Sequence, residues 1–170
     1  LHECRKEYAA TFLLGRASPT EDLTGPVTLE DPPHVPALAE LVAAADRLHG
    51  VILQRPPAYS ALKVGGRRAY ELARAGHDVE LQPRPVTIFR LHITRYEWPT
   101  LECEIECSSG TYVRSLGRDL AELAGTQAVM SALVRTSVGP FRVADALAPE
   151  LLTPQTWQSH LQPLLAAVCE

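Results

Sequence analysis

The largely apolar run over residues 8–14 can place Tyr8, Ala10, Phe12 and Leu14 on one face of a strand. Residues 15–36 are rich in Pro, Gly, Asp and Thr and read as a loop. Pro36 stands at a good first helical position, and Leu38, Leu41, Val42, Ala45 and Leu48 then recur at helical spacing until Gly50 closes the helix. Residues 51–53 suit a short strand halted by Pro56-Pro57, and residues 58–85 are loop-like with a brief helical stretch over 69–75. Residues 86–98 and 101–107 predict two strands joined by a turn at Pro99-Thr100. In the second, Leu101, Cys103, Ile105 and Cys107 point one way and Glu102, Glu104 and Glu106 the other, as in a sheet with one wet face. A helix over 111–124 would turn Val113, Leu116, Leu120 and Leu123 inward. A strand over 133–138 and a last helix interrupted near Pro163 complete the pattern.

Helices mixed with antiparallel-looking strands predict an α+β fold. No repeat or low-complexity tract interrupts it. No apolar run approaches the roughly 18 residues of a membrane span, and the N-terminus does not read as a signal peptide. The sequence starts at Leu1 rather than Met, so the interior of a longer chain is expected. At 170 residues with 46% hydrophobic side chains, one buried core is affordable and disorder is not expected. Four cysteines are too few for a disulfide scaffold and suit reduced thiols.

The net charge of −4 is unevenly spread. Residues 55–95 hold 8 basic side chains against 3 acids, whereas residues 1–54 hold 4 against 8. A basic segment in an acidic chain could meet a polyanion. Seven of the eight are Arg, which favours bidentate phosphate contacts. A solvated basic face accounts for the same residues, and charge alone does not decide.

Cys103 and Cys107 would lie on one strand face about 13 Å apart, too far to share a zinc ion, and read as core thiols. The six histidines show no ligand spacing, and neither a Gly-rich phosphate loop nor a triad motif is present. Two segments stand out instead. Residues 56–74 interleave Tyr59 and Tyr70 with Lys63, Arg67, Arg68 and Arg74 in a Pro/Gly-bounded loop, as a surface gripping nucleic-acid backbone would. Residues 107–116 put Tyr112 and Arg114 at the start of a helix behind a buried strand, with Arg114 and Arg118 on one face. The helix dipole disfavours a cation there, so Arg114 calls for a carboxylate or phosphate partner. A structural salt bridge would serve equally.

Five ordered motifs then become recognisable: Lys6-x-Tyr8; Leu14-Gly15 with Thr20-x-Asp22-x-x-Gly25; Pro57-x-Tyr59-Ser60-Ala61-Leu62-Lys63 on to Arg74; Cys107-Ser108-x-Gly110-Thr111-Tyr112-x-Arg114; and Leu133-x-Arg135-x-x-x-Gly139-x-Phe141. Together, over residues 6–141, they resemble the bacterial TruB family of tRNA pseudouridine synthases. The resemblance implies a pseudouridine synthase fold, a mixed and largely antiparallel sheet flanked by helices. It implies conversion of the uridine of the tRNA TΨC loop to pseudouridine after base flipping, in the cytoplasm, by a monomeric parent with no cofactor, metal or membrane. The partner would be the tRNA T-arm stem-loop.

Carried onto this sequence, Tyr8 would stack on the target base and Arg114 would hold the catalytic Asp. Tyr112 and Leu133 would line the pocket. Residues 58–85, with Lys63, Arg67, Arg68 and Arg74, would form an insertion closing on the RNA. The family nucleophile, an Asp in a Gly-x-Leu-Asp-Pro-type motif upstream of the first strand, has no counterpart here, and Asp22 belongs to a later motif. The expectation is therefore the larger, C-terminal part of a catalytic domain over 1–148 and a terminal helical segment over 149–170. No C-terminal RNA-binding module is expected, and the fold should be incomplete at its N-terminus. Such a chain would be inactive alone, with sheet edge and core exposed and stability marginal. A non-catalytic RNA-binding domain that kept the fold is the alternative.

Overall fold

The computed structural model describes residues 2–31, 33–64, 66–75 and 81–160. In chain order the elements are β1 (Lys6–Leu14), β2 (Arg16–Ala17), β3 (Thr28–Leu29), α1 (Leu38–Arg47), β4 (Gly50–Gln54), β5 (Lys63–Val64), β6 (Arg67–Arg68), α2 (Ala69–Arg74), β7 (Arg84–Glu97), β8 (Thr100–Cys107), α3 (Val113–Leu123), β9 (Ala128–Val138) and β10 (Phe141–Arg142). Six strands form one sheet in the order β10-β9-β1-β8-β7-β4, every neighbour antiparallel. The α+β reading holds.

β8 shows why the alternation works. Leu101, Cys103, Ile105 and Cys107 are at most 1% exposed. On the opposite face Glu102, Glu104 and Glu106 meet Arg95, Arg90 and Arg5 in solvent-facing ion pairs. The buried face carries α1, through Leu41, Ala44, Ala45 and Leu48, and α3, through Val113, Leu116, Leu120 and Ala121. Phe12 sits between sheet and α3, directly against Gly117.

Several expectations need correction. Leu38 and Val42 are 51% and 44% exposed, because α1 meets the sheet along the narrower 41-44-45-48 stripe. Gly50, at φ +86, begins β4 as well as ending the helical run. The last long strand starts at Ala128, five residues before the expected Leu133, because β9 pairs with β1 along its whole length. Residues 149–160 form 3-10 turns at Pro149–Leu151 and Trp157–His160 rather than the start of a helix, and residues 161–170 lie outside those described. Cys4 is buried, and Cys103 and Cys107 are free. Edge strand β4 leaves Val51 and Leu53 each 74% exposed. No helix among the described residues is long and apolar enough to cross a membrane.

Candidate functional site

α3 begins immediately after the β8 turn. Ser108 fixes that turn to β7: its N–H donates to the Thr87 carbonyl, and its Oγ accepts the Thr87 N–H, both at 2.9 Å. Tyr112 caps the helix through its backbone, with no side-chain cap. Two residues on, Arg114 Nη1 donates to Asp22 Oδ2 at 2.9 Å and to the Thr20 carbonyl at 2.8 Å. Its Nη2 donates to the Tyr59 carbonyl at 3.1 Å. The carboxylate demanded by a cation in the first helical turn is thus found within the chain. Among the described residues, no acceptor engages Arg114 Nε or the second Nη2 hydrogen.

One turn along, Arg118 pairs with Glu21 and with Asp119, and its Nη2 donates to the Arg55 carbonyl at 3.1 Å. Ser115 Oγ donates to the same Glu21 carboxylate at 2.6 Å. Consecutive carboxylates, Glu21 and Asp22, therefore each take one arginine of an i, i+4 pair. Delivering both to one helix face requires a sharp backbone, and Glu21 sits at φ +60, a left-handed conformation costly for a side chain of its size. The Met130 N–H holds this corner to β9 by donating to the Glu21 carbonyl at 3.0 Å.

Burial raises the Asp22 carboxyl, but hydrogen bonds from Thr24 and Thr20 and the Arg114 charge together outweigh it, leaving the group below the ordinary carboxylate range. Burial disfavours the charged form of Arg118, and Glu21 and Asp119 more than restore it, so its basicity is raised. In Cys103 burial alone pushes the thiol up to about 12, so it is neutral at physiological pH and suits the core role expected for it.

A cavity of about 520 Å³ opens beside Arg114, lined also by Thr20, Tyr59, Ser60 and Tyr70. Tyr8, Leu133 and Tyr112 do not line it; Tyr112 lines a separate, smaller cavity with Gln54 and Pro56. Tyr8 and Leu133 lie on β1 and β9, where Tyr8 is opposite Arg135 and Leu133 opposite Ala10. Cross-strand pairs share a face, so both belong to the face of the sheet that carries α3. Tyr8 is half-buried and Leu133 is 41% exposed. Burial first, then the Cys107 thiol, raises the Tyr8 phenol despite the opposing Arg135, so Tyr8 stays a neutral aromatic. Arg68 holds its guanidinium 6.0 Å from the Tyr70 ring centre. The backbones of Lys63, Arg67 and Arg74 fall in β5, β6 and α2, but their side chains lie outside the described residues.

The family model described as TruB family pseudouridylate synthase (N terminal domain) matches residues 1–113. The chain belongs to this family. Among curated TruB-family relatives, the tRNA pseudouridine synthase B of Corynebacterium aurimucosum is 49% identical over 148 residues, covering 83% of this chain and 49% of its own length. That of Mycobacterium tuberculosis is 44% identical over 145 residues, with the same coverage. That of Acaryochloris marina is 40% identical over 163 residues, covering 94% of this chain and 56% of its own length. The chain thus spans about half the length of the curated relatives it matches. A Cbf5-Nop10-Gar1 complex contains a chain of the same fold, with a TM-score of 0.60 at 23% identity, covering 84% of this chain and 33% of that one. An H/ACA RNP bound to a substrate RNA gives 0.55 at 20% identity, covering 84% and 31%.

Sequence reasoning placed Arg114 with Arg118 on its face but missed Glu21 and Gln54 as parts of its surroundings. A signal existed for Glu21, since adjacent acids in a loop suit two arginines on a helix face. Gln54 is a polar residue closing an apolar strand, and nothing in the sequence shows what it faces.

Proposed function

We propose that this chain is the larger part of the catalytic domain of a cytoplasmic enzyme that converts the uridine of the tRNA TΨC loop into pseudouridine. Residues 1–148 would hold the catalytic part, 58–85 the RNA-gripping insertion and 149–170 a terminal segment. Pseudouridine is a C-glycoside: the N1–C1′ bond breaks, a C5–C1′ bond forms, the C5 proton leaves and N1 takes up a proton. No electrons are gained or lost overall, so an ionised nucleophile, a held base and a proton acceptor suffice.

The observation that carries this reading is the state of Arg114. Asp22, Thr20 and Tyr59 hold the guanidinium, and donors remain at Nε and Nη2 among the described residues. Those donors suit a second carboxylate, which the positive charge would keep ionised and ready to attack. The adjoining cavity, about 520 Å³, lies within the ~300–1,000 Å³ range of ligand sites. Outside this cavity, Tyr8 would offer a face to the flipped base, with Leu133 on the same sheet face and Tyr112 at the start of α3. Lys63, Arg67, Arg68 and Arg74 would meet stem phosphates.

The test uses the full-length protein and a T-arm stem-loop carrying tritium at C5 of the target uridine. Release of the label is expected from the full-length protein and not from the 170-residue chain, in which Asp22 is committed to Arg114 and Thr24. Release by the chain alone would require a different nucleophile. A full-length protein that binds the stem-loop and releases no label would decide instead for an RNA-binding domain without activity.

A further inference from the structure

Gln54 ends β4 and is 1% exposed. A buried amide must find partners for its oxygen and its NH₂ group or pay for their desolvation. Both partners here belong to one residue. Gln54 Oε1 accepts the Tyr112 N–H at 2.8 Å, and Nε2 donates to the Tyr112 carbonyl at 3.2 Å. The side chain does for Tyr112 what a neighbouring strand would do, from 58 positions away. Tyr112 is the cap residue of α3 and has no side-chain cap of its own, so this grip supplies the missing fixation of the helix start.

The residues after Gln54 continue the contact. The Arg55 carbonyl receives Arg118 Nη2, and the Tyr59 carbonyl receives Arg114 Nη2, each at 3.1 Å. Residues 54–59 therefore run along the start of α3 and engage it at Tyr112, Arg114 and Arg118. Pro56 and Pro57, both buried, stiffen the run between those points. Beyond Tyr59 the chain enters the basic segment.

We infer that Gln54 is a positioning residue for the isomerisation: by holding the Tyr112 peptide it fixes the direction in which Arg114 leaves α3. The inference rests on the function proposed above, since it is Arg114 that would face the reacting carboxylate. Gln54 itself would touch no substrate. A shift of about 1 Å in a group that aligns the reacting atoms can cost on the order of 100-fold in rate.

The test is a double-mutant cycle in the full-length protein, with the T-arm stem-loop as substrate. Gln54→Met keeps the length and loses both hydrogen bonds. It should lower kcat about 10- to 100-fold while KM changes less than about threefold. Combined with Arg114→Lys it should cost little more than Arg114→Lys alone, because both changes misplace the same group. Additive losses, or an unchanged kcat in Gln54→Met, would overturn the inference. Should Gln54→Met not fold, Gln54→Glu serves: a protonated carboxyl donates and accepts as the amide does. Its kcat relative to wild type should then rise as pH falls, and a pH-independent ratio counts against the role. Wild-type protein that isomerises no uridine overturns the proposed function and this inference together. An active wild type with additive losses overturns the inference alone.

Discussion

Arg114 and Asp22 lie 92 residues apart in sequence and meet at 2.9 Å, with side chains only 22% and 16% exposed. The pair ties the loop between β2 and β3 to the first turn of α3. Thr20 and Tyr59 add their carbonyls to the same guanidinium, so one arginine joins three segments of chain. A partly buried charge with this many partners is expensive to disturb, because any change leaves some of them unpaired.

Arg114→Lys keeps the charge and loses the fork. A lysine ammonium can reach Asp22 or a second carboxylate, but it cannot reproduce the planar set of donors. In the full-length protein turnover should fall by about 100-fold, with a much smaller change in unfolding midpoint. Turnover within a few-fold of wild type would show that the fork is dispensable.

Asp22 gives the fold a defined acid sensitivity. Its folded carboxyl lies below the ordinary value of 3.8, so its ionised form stabilises the fold above about pH 4. That contribution is lost as pH falls from there through the depressed folded value. Asp119 has the opposite sign: burial outweighs the Arg118 charge and raises its carboxyl, so ionising it as pH rises weakens the fold. Asp22→Asn should therefore be less stable than wild type at pH 7, and the difference should shrink below about pH 4. Denaturant midpoints across a pH series measure it, and a difference that is constant with pH would remove Asp22 from the account.

Gly117 is in the middle of α3, where glycine ordinarily costs about 1 kcal/mol relative to alanine. A Cβ there would overlap Phe12 Cε1, and Phe12 is 1% exposed with no room to retreat. The clash should outweigh the propensity gain, so Gly117→Ala is expected to destabilise by roughly 1–3 kcal/mol. Phe12→Leu in the same chain should recover part of that loss. Equal or higher stability in Gly117→Ala would mean that α3 can lift away from β1 without cost.

Neutralising Lys63, Arg67 and Arg68 together should weaken binding of a T-arm stem-loop by the full-length protein. If each cation meets one phosphate, the log–log salt slope should fall by roughly 0.7–0.9 per contact removed. Affinity across a salt series, wild type against the triple variant, measures it. An unchanged slope would return this segment to an ordinary solvated basic face.

Local chemistry was legible in the sequence wherever a period or a motif carried it. The alternation in β8 named its buried and wet faces because a strand has only two sides. The spacing within α3 put Arg114 and Arg118 on one face, and the dipole argument demanded a partner for Arg114. The family motifs pointed to Arg114 as well. What the sequence left open was every relationship between distant segments. Leu38 and Val42 keep the helical period but miss the sheet, because only packing decides how wide the buried stripe is. β9 extends back to Ala128 because β1 is there to pair with it. Asp22 as the partner of Arg114, Gln54 as the clamp on Tyr112 and Gly117 as the seat of Phe12 join residues 92, 58 and 105 positions apart. Such contacts depend on how strands and helices stack, and no local pattern encodes that.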